Sequence, residues 1–518
     1  MLSDSFGNNK RIAKNTLILY VRMLILMATS LYTSRVILDA LGAEDYGIYN
    51  VVGGVVIFLG FLNGTLNTTS SRYITVALGK GDGVRCKQVF ASVLQVNILL
   101  CIFVVLASET IGLWFLVNKM QIPEERMNAA LWVYQFSVAT VILNIISVPY
   151  SASIIAHERM QVFAYIVLFD AFAKLGIAFL LSSACSIDKL VVYAICIFIV
   201  QLIDRVIYGQ YCVRKFPETH YSPYYDGKLL KEILGFVSWS AYGGIVFVGF
   251  TQGLNILLNI FFGPAINAAR AVSVQVQSNV DNFVQNFQTA INPQLTKSVA
   301  TASFEKSREL LLASTRFSFY LLCILGLPII CEADYILHLW LKEVPQHTVL
   351  FVQLMLTISI WQSFANSLRT VNQAEGNIKK FQMYECTLRL LIVPIAYIFL
   401  KKGYPPESVF IVHLMIELMV NIPRIWIVLP KIGMKSREYI RQVYFKLIPI
   451  YVIPILIVHF FMKPFVPKGE NTFVFFLLSL LVIEVSLMIM ISGWGLTIGE
   501  KNFIKKVIKG KFEKRNLK

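Results

Sequence analysis

Arg22 stands deep inside an apolar run, and an arginine there is the first hint of chemistry. The run extends from about Lys14 to Leu38, long enough for a bilayer crossing, which takes roughly 20 residues at 1.5 Å each. Eight residues separate Arg22 from Lys14, which puts the guanidinium roughly 12 Å into the hydrocarbon. Asn15, Arg22, Thr29 and Thr33 follow one another at seven, seven and four residues. On a helix they share one face, within about 40°. A charge at that depth is costly unless it faces protein or water. A snorkelling arginine would give the aligned threonines no purpose. The spacing predicts a helix lining a wet, cationic cavity.

A second polar row lies in NAARAVSVQVQSNVDNFVQNFQTAINP, which starts at Asn267. There Arg270, Gln277, Asp281, Gln285 and Gln288 recur at seven, four, four and three, again one helical face. Such a row must meet water, substrate or other helices. Hydrogen bonding between helices is the plainer reading; the included charges favour a cavity face. Guanidinium groups bind phosphate bidentately, while amides, hydroxyls and aromatic faces suit a sugar. Acids also precede bases by four residues: Asp170 before Lys174, and Glu385 before Arg389. Each pair can neutralise itself within its helix, or one carboxyl can serve as a proton-linked site. His413 and Glu417 repeat the spacing, and a lone intramembrane histidine reads first as structural. Asp170, Lys174, Glu385, Arg389 and Glu417 are therefore the ion-coupling candidates.

The elements that must carry these residues are membrane helices. Of 518 residues, 56% are hydrophobic and 15% charged, whereas soluble domains carry about a quarter charged residues. Mean hydropathy is +0.65. Hydropathy predicts about fourteen spans between residues 14 and 495, the second at 46–67, the eighth at 265–290 and the thirteenth at 445–462. Both termini are expected to be cytoplasmic. Lys10, Arg11 and Lys14 precede the first span, and basic residues such as Arg72, Lys80, Arg214, Lys297, Lys431 and Arg441 follow even-numbered spans. Loops after odd-numbered spans are sparser and partly acidic, as at Asp39, Glu44 and Asp45. The net charge of +17 is thus topological and does not indicate nucleic acid. The tail from Lys501 reads as a solvated topology signal.

Sliding the chain by about 221 residues brings Leu41-Gly42 onto Phe262-Gly263, and the SSRYITVALGKGD stretch at Ser70 onto INPQLTKSVATAS at Ile291. The shared order makes an internal duplication the expectation. It divides the chain into an N-lobe at 1–210 with six helices, a cytoplasmic linker at 211–234 and a C-lobe at 235–430 with six helices. Residues 431–518 add two helices and the basic tail. The expected fold is an all-α polytopic membrane protein whose lobes are related by a pseudo-two-fold along the membrane normal, with a substrate site between them. Tyr49 falls opposite Arg270 in this repeat, so the halves differ electrostatically.

No GxxxxGK[ST], HExxH or GxSxG motif occurs. The eight cysteines are scattered without a CxxC and read as small core hydrophobes. The expectation is a protein that is not an enzyme and holds no metal or cofactor.

The opening RIAKNTLILYVRMLILMATSLYTSRVILDALGAEDYGIYNVVGGVV, with the following SSRYITVALGKGD, resembles the polysaccharide flippases that move O-antigen and capsule repeat units. These belong to the multidrug/oligosaccharidyl-lipid/polysaccharide exporter superfamily. The resemblance covers essentially the whole chain, clearest in its first 90 residues, and its motifs are Leu41-Gly42, Tyr46-Gly47 and Gly53-Gly54. It implies a cargo of oligosaccharide on undecaprenyl diphosphate, turned from the cytoplasmic to the periplasmic leaflet of a bacterial inner membrane by ion-driven alternating access. A polysaccharide polymerase is the implied protein partner, membrane lipid the surrounding one. The related lipid II flippase carries cavity arginines on its first, second and eighth helices. Here Arg22 and Arg270 occupy the first and eighth, while the second offers Tyr46, Tyr49 and Asn50. The resulting candidate substrate site is Asn15, Arg22, Thr29, Thr33, Tyr46, Tyr49, Asn267, Arg270, Gln277, Asp281 and Gln285.

Two rival readings stand beside it. An ion-coupled extruder of drugs or organic cations would want carboxylates to dominate the cavity. A non-transporting membrane scaffold would have no use for the polar row of the eighth span.

Overall fold

A computed structural model describes residues 15–29, 61–119, 122–183, 188–220, 224–341, 344–462, 472–497 and 499–501, with isolated residues between 32 and 52. Both termini, most of the second expected span, Tyr46, Asn50, Arg35, Cys185 and the glycines Gly42, Gly47, Gly53 and Gly54 lie outside the described residues.

Every regular element among the described residues is helical. The α-helices are α1 (Asn15–Thr29), α2 (Phe61–Lys80), α3 (Gly83–Ala107), α4 (Leu113–Lys119), α5 (Met127–Ala156), α6 (Met160–Ser183), α7 (Lys189–Lys215), α8 (Gly227–Phe262) and α9 (Pro264–Ala300). They continue as α10 (Phe304–Cys331), α11 (Ala333–Trp340), α12 (Thr348–Glu375), α13 (Lys379–Leu390), α14 (Ile392–Lys401), α15 (Ser408–Val428), α16 (Ser436–Gln442), α17 (Tyr444–Ile457) and α18 (Thr472–Met490). Eleven of the described helical segments are long and apolar enough to cross a membrane. The long α9 is not among them, because its row of amides and charges dilutes its hydropathy. Described α1 is apolar but spans only Asn15–Thr29. Large apolar side chains such as Ile422, Trp426 and Ile260 stand exposed at 70%, 74% and 69%. Water would penalise such surfaces and lipid accepts them. The protein is a polytopic membrane protein.

The contacts of the described chain divide it into two units, Ala13–Ile245 and Val246–Lys518, with the break inside α8.

In the first unit α5 is the hub, packed by α2, α3 and α7. One end of its core holds Val133, Tyr134, Val138, Leu190 and Ala194; the other holds Ile74, Phe90, Tyr150, Ile154 and Phe216. The α3 helix opens on Asp82, whose carboxylate accepts from the Val84 and Arg85 amides at 3.0 Å each, an N-cap that satisfies two otherwise orphaned donors. Asp226 caps α8 in the same way, through Lys228 and Leu229. Beyond α3 the helix widens into a π turn at Ser108–Gly112, where the Ser108 carbonyl accepts from the Leu113 amide and also from the Tyr134 hydroxyl at 2.7 Å. A Cβ at Gly112 would lie 2.1 Å from that hydroxyl, so only glycine fits. At the end expected to face the periplasm, Arg126 donates to both Asp45 and Asp188, clasping three loops.

In the second unit α12 is the hub, packed by α9, α10 and α15. Its apolar core includes Phe250, Leu258, Phe351, Ile358, Ile392, Phe410 and Val420. The turn from α8 into α9 is a single residue, Gly263 at φ +80, followed by Pro264 at the first helical position, where a missing N–H is harmless. The eleventh span is split into α13 and α14. Pro394 cannot donate to the carbonyl of Leu390 and crowds it, so the α-helical pattern lapses at Leu391.

Candidate functional site

The first unit carries a polar seam along α1, α6 and α7. The Arg22 guanidinium lies 5.1 Å from the centre of the Phe163 ring and within electrostatic reach of Tyr208. Tyr208 in turn feels Asp204 and Asp170. Asp170 accepts from Lys174 at 2.7 Å and from Gln201 at 2.8 Å, and Asp204 on α7 lies within electrostatic reach of Asp170. The intrahelical Asp170–Lys174 pair therefore forms, and it also reaches a neighbouring helix.

Two other members of the sequence-predicted face, Asn15 and Thr29, have partners of their own. Asn15 is buried and its amide donates to the Glu158 carbonyl at 3.4 Å. The Thr29 hydroxyl donates back to Ile25 at 2.9 Å, and Thr33 is 9% exposed. Tyr49 packs edge-on against Tyr193 with ring centres 4.7 Å apart.

In the second unit the row on α9 faces several helices. Arg270, 5% exposed, donates to the Asn255 side chain and to the Thr251 carbonyl on α8. Both partners are neutral. Gln277 donates to the Ser359 hydroxyl at 2.7 Å and to the Met355 carbonyl at 3.3 Å. Ser359 donates to Asp281 at 3.0 Å. These contacts fasten α9 to α12. Gln288 donates to Ser318 of α10 at 3.2 Å, Gln285 is exposed, and the Asn267 amide oxygen is buried without a hydrogen-bond partner. The row thus divides between interhelical bonding and open positions.

The densest constellation lies on α12, α13 and α15. Glu385 accepts from Arg369 at 2.7 Å, Arg389 at 3.1 Å and Arg424 at 2.6 Å. Glu417 accepts from Arg389 at 2.9 Å and Arg424 at 2.6 Å. Arg389 therefore joins both glutamates and Arg424 joins them again. Three arginines against two glutamates leave this buried network one positive charge in surplus. Each carboxylate is surrounded by cations, so a metal cation or a cationic drug would meet repulsion there. No group of three or more metal-ligating side chains occurs among the described residues.

Spacing pointed to Glu385, Arg389 and Glu417 but not to Arg369, Arg424, Asp204, Gln201 or Tyr208. A signal existed for most of them. His413, Glu417, Asn421 and Arg424 recur at four, four and three on α15, and Gln201, Asp204 and Tyr208 at three and four on α7. Arg369, on α12, carried none, since its partner comes from α13.

No family model matches the chain, and no curated protein matches it. Solved structures do. A multidrug resistance MATE family transporter of the MOP superfamily, in an outward-facing conformation, superposes with a TM-score of 0.71 at 13% identity, covering 84% of this chain and 96% of the other. A MATE protein in the straight conformation gives 0.69 at 13% identity over 84% and 97%. A MOP superfamily transporter from Pyrococcus furiosus, described by a reversed binding-pocket polarity that suggests a different function, gives 0.65 at 14% identity over 84% and 97%. At these identities the likeness establishes the fold, which is that of the MATE transporters of the MOP superfamily.

Proposed function

We propose that this protein is a flippase for undecaprenyl-diphosphate-linked oligosaccharides, moving repeat units for O-antigen or capsule synthesis. In this reading cationic sites in the membrane are exposed alternately to its two faces. The observation that carries it is Arg270: a guanidinium 5% exposed whose hydrogen-bond partners among the described residues are an amide and a carbonyl, with no carboxylate. A buried charge held without a counter-ion awaits one, and a diphosphate offers oxygens in the geometry a guanidinium prefers. The arginine surplus around Glu385 and Glu417 favours the same sign of cargo. Arg22 and Arg270 act as successive phosphate contacts, with Gln277, Gln285 and Tyr49 available to sugar. The nearness of the Asp170 and Asp204 carboxyls supports ion coupling in the first unit. The setting is the inner membrane of a bacterium with both termini in the cytoplasm, and a polysaccharide polymerase is the expected partner.

Purified protein should bind a prenyl-diphosphate sugar and ignore cationic dyes, and Arg270→Ala should lose the former. Dye binding without glycolipid binding would overturn the assignment.

The second reading, an extruder of organic cations, is favoured by one specific observation. Asp281 has Ser359 as its hydrogen-bonding partner and, among the described residues, no basic partner, and one structural neighbour is described as a multidrug resistance transporter.

A further inference from the structure

We infer that α18 is a self-association surface, on which two copies of this chain pair in the membrane through Glu484, whatever the cargo. With its π turn α18 forms the apolar segment Phe473–Gly495, and Glu484 is the only charged residue in it. It stands eleven residues from either end of that segment, roughly 16 Å from each. Lysine and arginine reach across such depths on long stems; a glutamate cannot. The serines of the segment satisfy themselves, Ser479 donating to the Phe476 carbonyl at 3.0 Å and Ser486 to that of Ile483 at 2.8 Å. Glu484 is half-buried and has no hydrogen-bond or ion-pair partner among the described residues. A carboxyl at that depth is costly, and an acyl chain has no polar group to offer it.

The two sides of α18 differ. Ile483 and Leu487 are fully buried, on the side where the helix packs on α10 and α17. On the open side Leu477, Leu481, Glu484 and Met488 recur at four, three and four residues, the spacing of a coiled-coil seam. The three apolar members are 48%, 59% and 53% exposed. A seam of this kind takes a second helix, and one polar residue within it fixes register and partner. Symmetry selects a second copy as that partner. A two-fold axis along the membrane normal sets the two α18 helices parallel, so each residue of the seam meets its counterpart at the same depth. A neutral carboxyl carries one donor and one acceptor, and so complements itself. A basic residue on a different protein would answer Glu484 but would need its own seam matched to Leu477, Leu481 and Met488. The second copy supplies that match by symmetry.

The test uses the full-length protein with one fluorophore per chain, reconstituted into liposomes at falling protein-to-lipid ratios, with photobleaching steps counted. Wild type should show two steps at high density and one on dilution. Glu484→Leu should weaken pairing about tenfold while folding normally, since it removes no contact within the chain. Glu484→Gln, whose amide also complements itself, should pair as wild type does. In membranes, oxidation of Leu481→Cys should give a dimer band that is absent from wild type and from Leu478→Cys, which is exposed on a different side of α18. One step at every density, equal pairing of wild type and Glu484→Leu, or equal cross-linking from the two cysteines would overturn the proposal. So would Glu484-dependent retention of a different membrane protein by a chain that does not self-pair, which would give this face to a basic helix.

Discussion

Arg424 and Glu417, seven residues apart on α15, face each other at 2.6 Å with side chains 1% and 0% exposed. Neither charge would survive there alone. Glu385 brings α13 to the same arginine, and Arg369 brings α12, so one ionic network fixes three helices of the second unit. Arg424→Ala leaves Arg369 and Arg389 to neutralise the two carboxylates but removes buried charge-assisted hydrogen bonds to both, and should destabilise the protein by about 1.5–3 kcal/mol. Chemical unfolding in detergent measures this. A loss below about 1 kcal/mol, the value of exposed pairs, would show that the network does not form.

Removing the arginine at 270 acts differently, because its contacts are neutral. Arg270→Ala removes one donor each from the Asn255 side chain and the Thr251 carbonyl, and leaves no carboxylate uncompensated. Membrane insertion and expression should stay near normal while glycan export falls to background, and Arg22→Ala/Arg270→Ala should do the same. Surface glycan staining alongside an immunoblot of membranes reports both.

Asp204 is the side chain to alter for coupling. Asp204→Asn removes the second carboxyl at Asp170 but keeps an amide for hydrogen bonding. Uphill transport should be lost while downhill exchange of labelled cargo persists. Loss of both, with normal folding, would place Asp204 outside the coupling step.

On the side expected to be cytoplasmic, His157 and Glu218 meet at 2.5 Å, with the imidazole stacked flat on Phe216 at 4.0 Å. Burial alone would raise the Glu218 carboxyl, but the His157 hydrogen bond, a backbone bond and Lys87 outweigh it and hold it below the ordinary 4.5. A depressed carboxyl contributes stability above its unfolded value, and that contribution disappears as pH falls through the folded value. Unfolding midpoints of wild type and Glu218→Gln should therefore differ near pH 7 and converge as pH drops below about 4.5. A gap that widens with acid would contradict the pairing.

The π turn offers a steric test. Gly112→Ala places a methyl 2.1 Å from the Tyr134 hydroxyl and should cost about 1–3 kcal/mol, the usual range for overpacking. Gly112→Ala/Tyr134→Phe should recover part of it, since the ring carbon stands at 3.3 Å. An additive double variant would remove the clash from the explanation.

Helix class and approximate number of spans were legible because hydropathy and loop charge act locally and need no knowledge of partners. The polar character of α9 was legible for the same reason: five residues at helical spacing announce a face. What that face meets was not. Gln277 and Asp281 share Ser359, a residue with no distinguishing mark in its own run, and the Arg270 partners on α8 are an ordinary asparagine and a backbone carbonyl. The Glu385–Arg389 spacing left open self-contained neutralisation or a proton-linked carboxyl, whereas the structure adds Arg369 and Arg424 from other helices. Periodicity identifies residues on one helix; the packing of α12, α13 and α15 decides which of them become neighbours. The split of α8 between two units leaves no mark in composition either, since the helix is continuous across it.

The central claim is the sign and nature of the cargo. The most direct measurement is the sidedness of prenyl-linked glycan in a deletion strain, read with an impermeant lectin on right-side-out and inverted vesicles. The flippase reading predicts intermediate accumulating on the cytoplasmic face, and restoration of export by the wild-type chain but not by Arg270→Ala. Normal surface glycan together with lost resistance to cationic drugs would contradict it and establish the extruder.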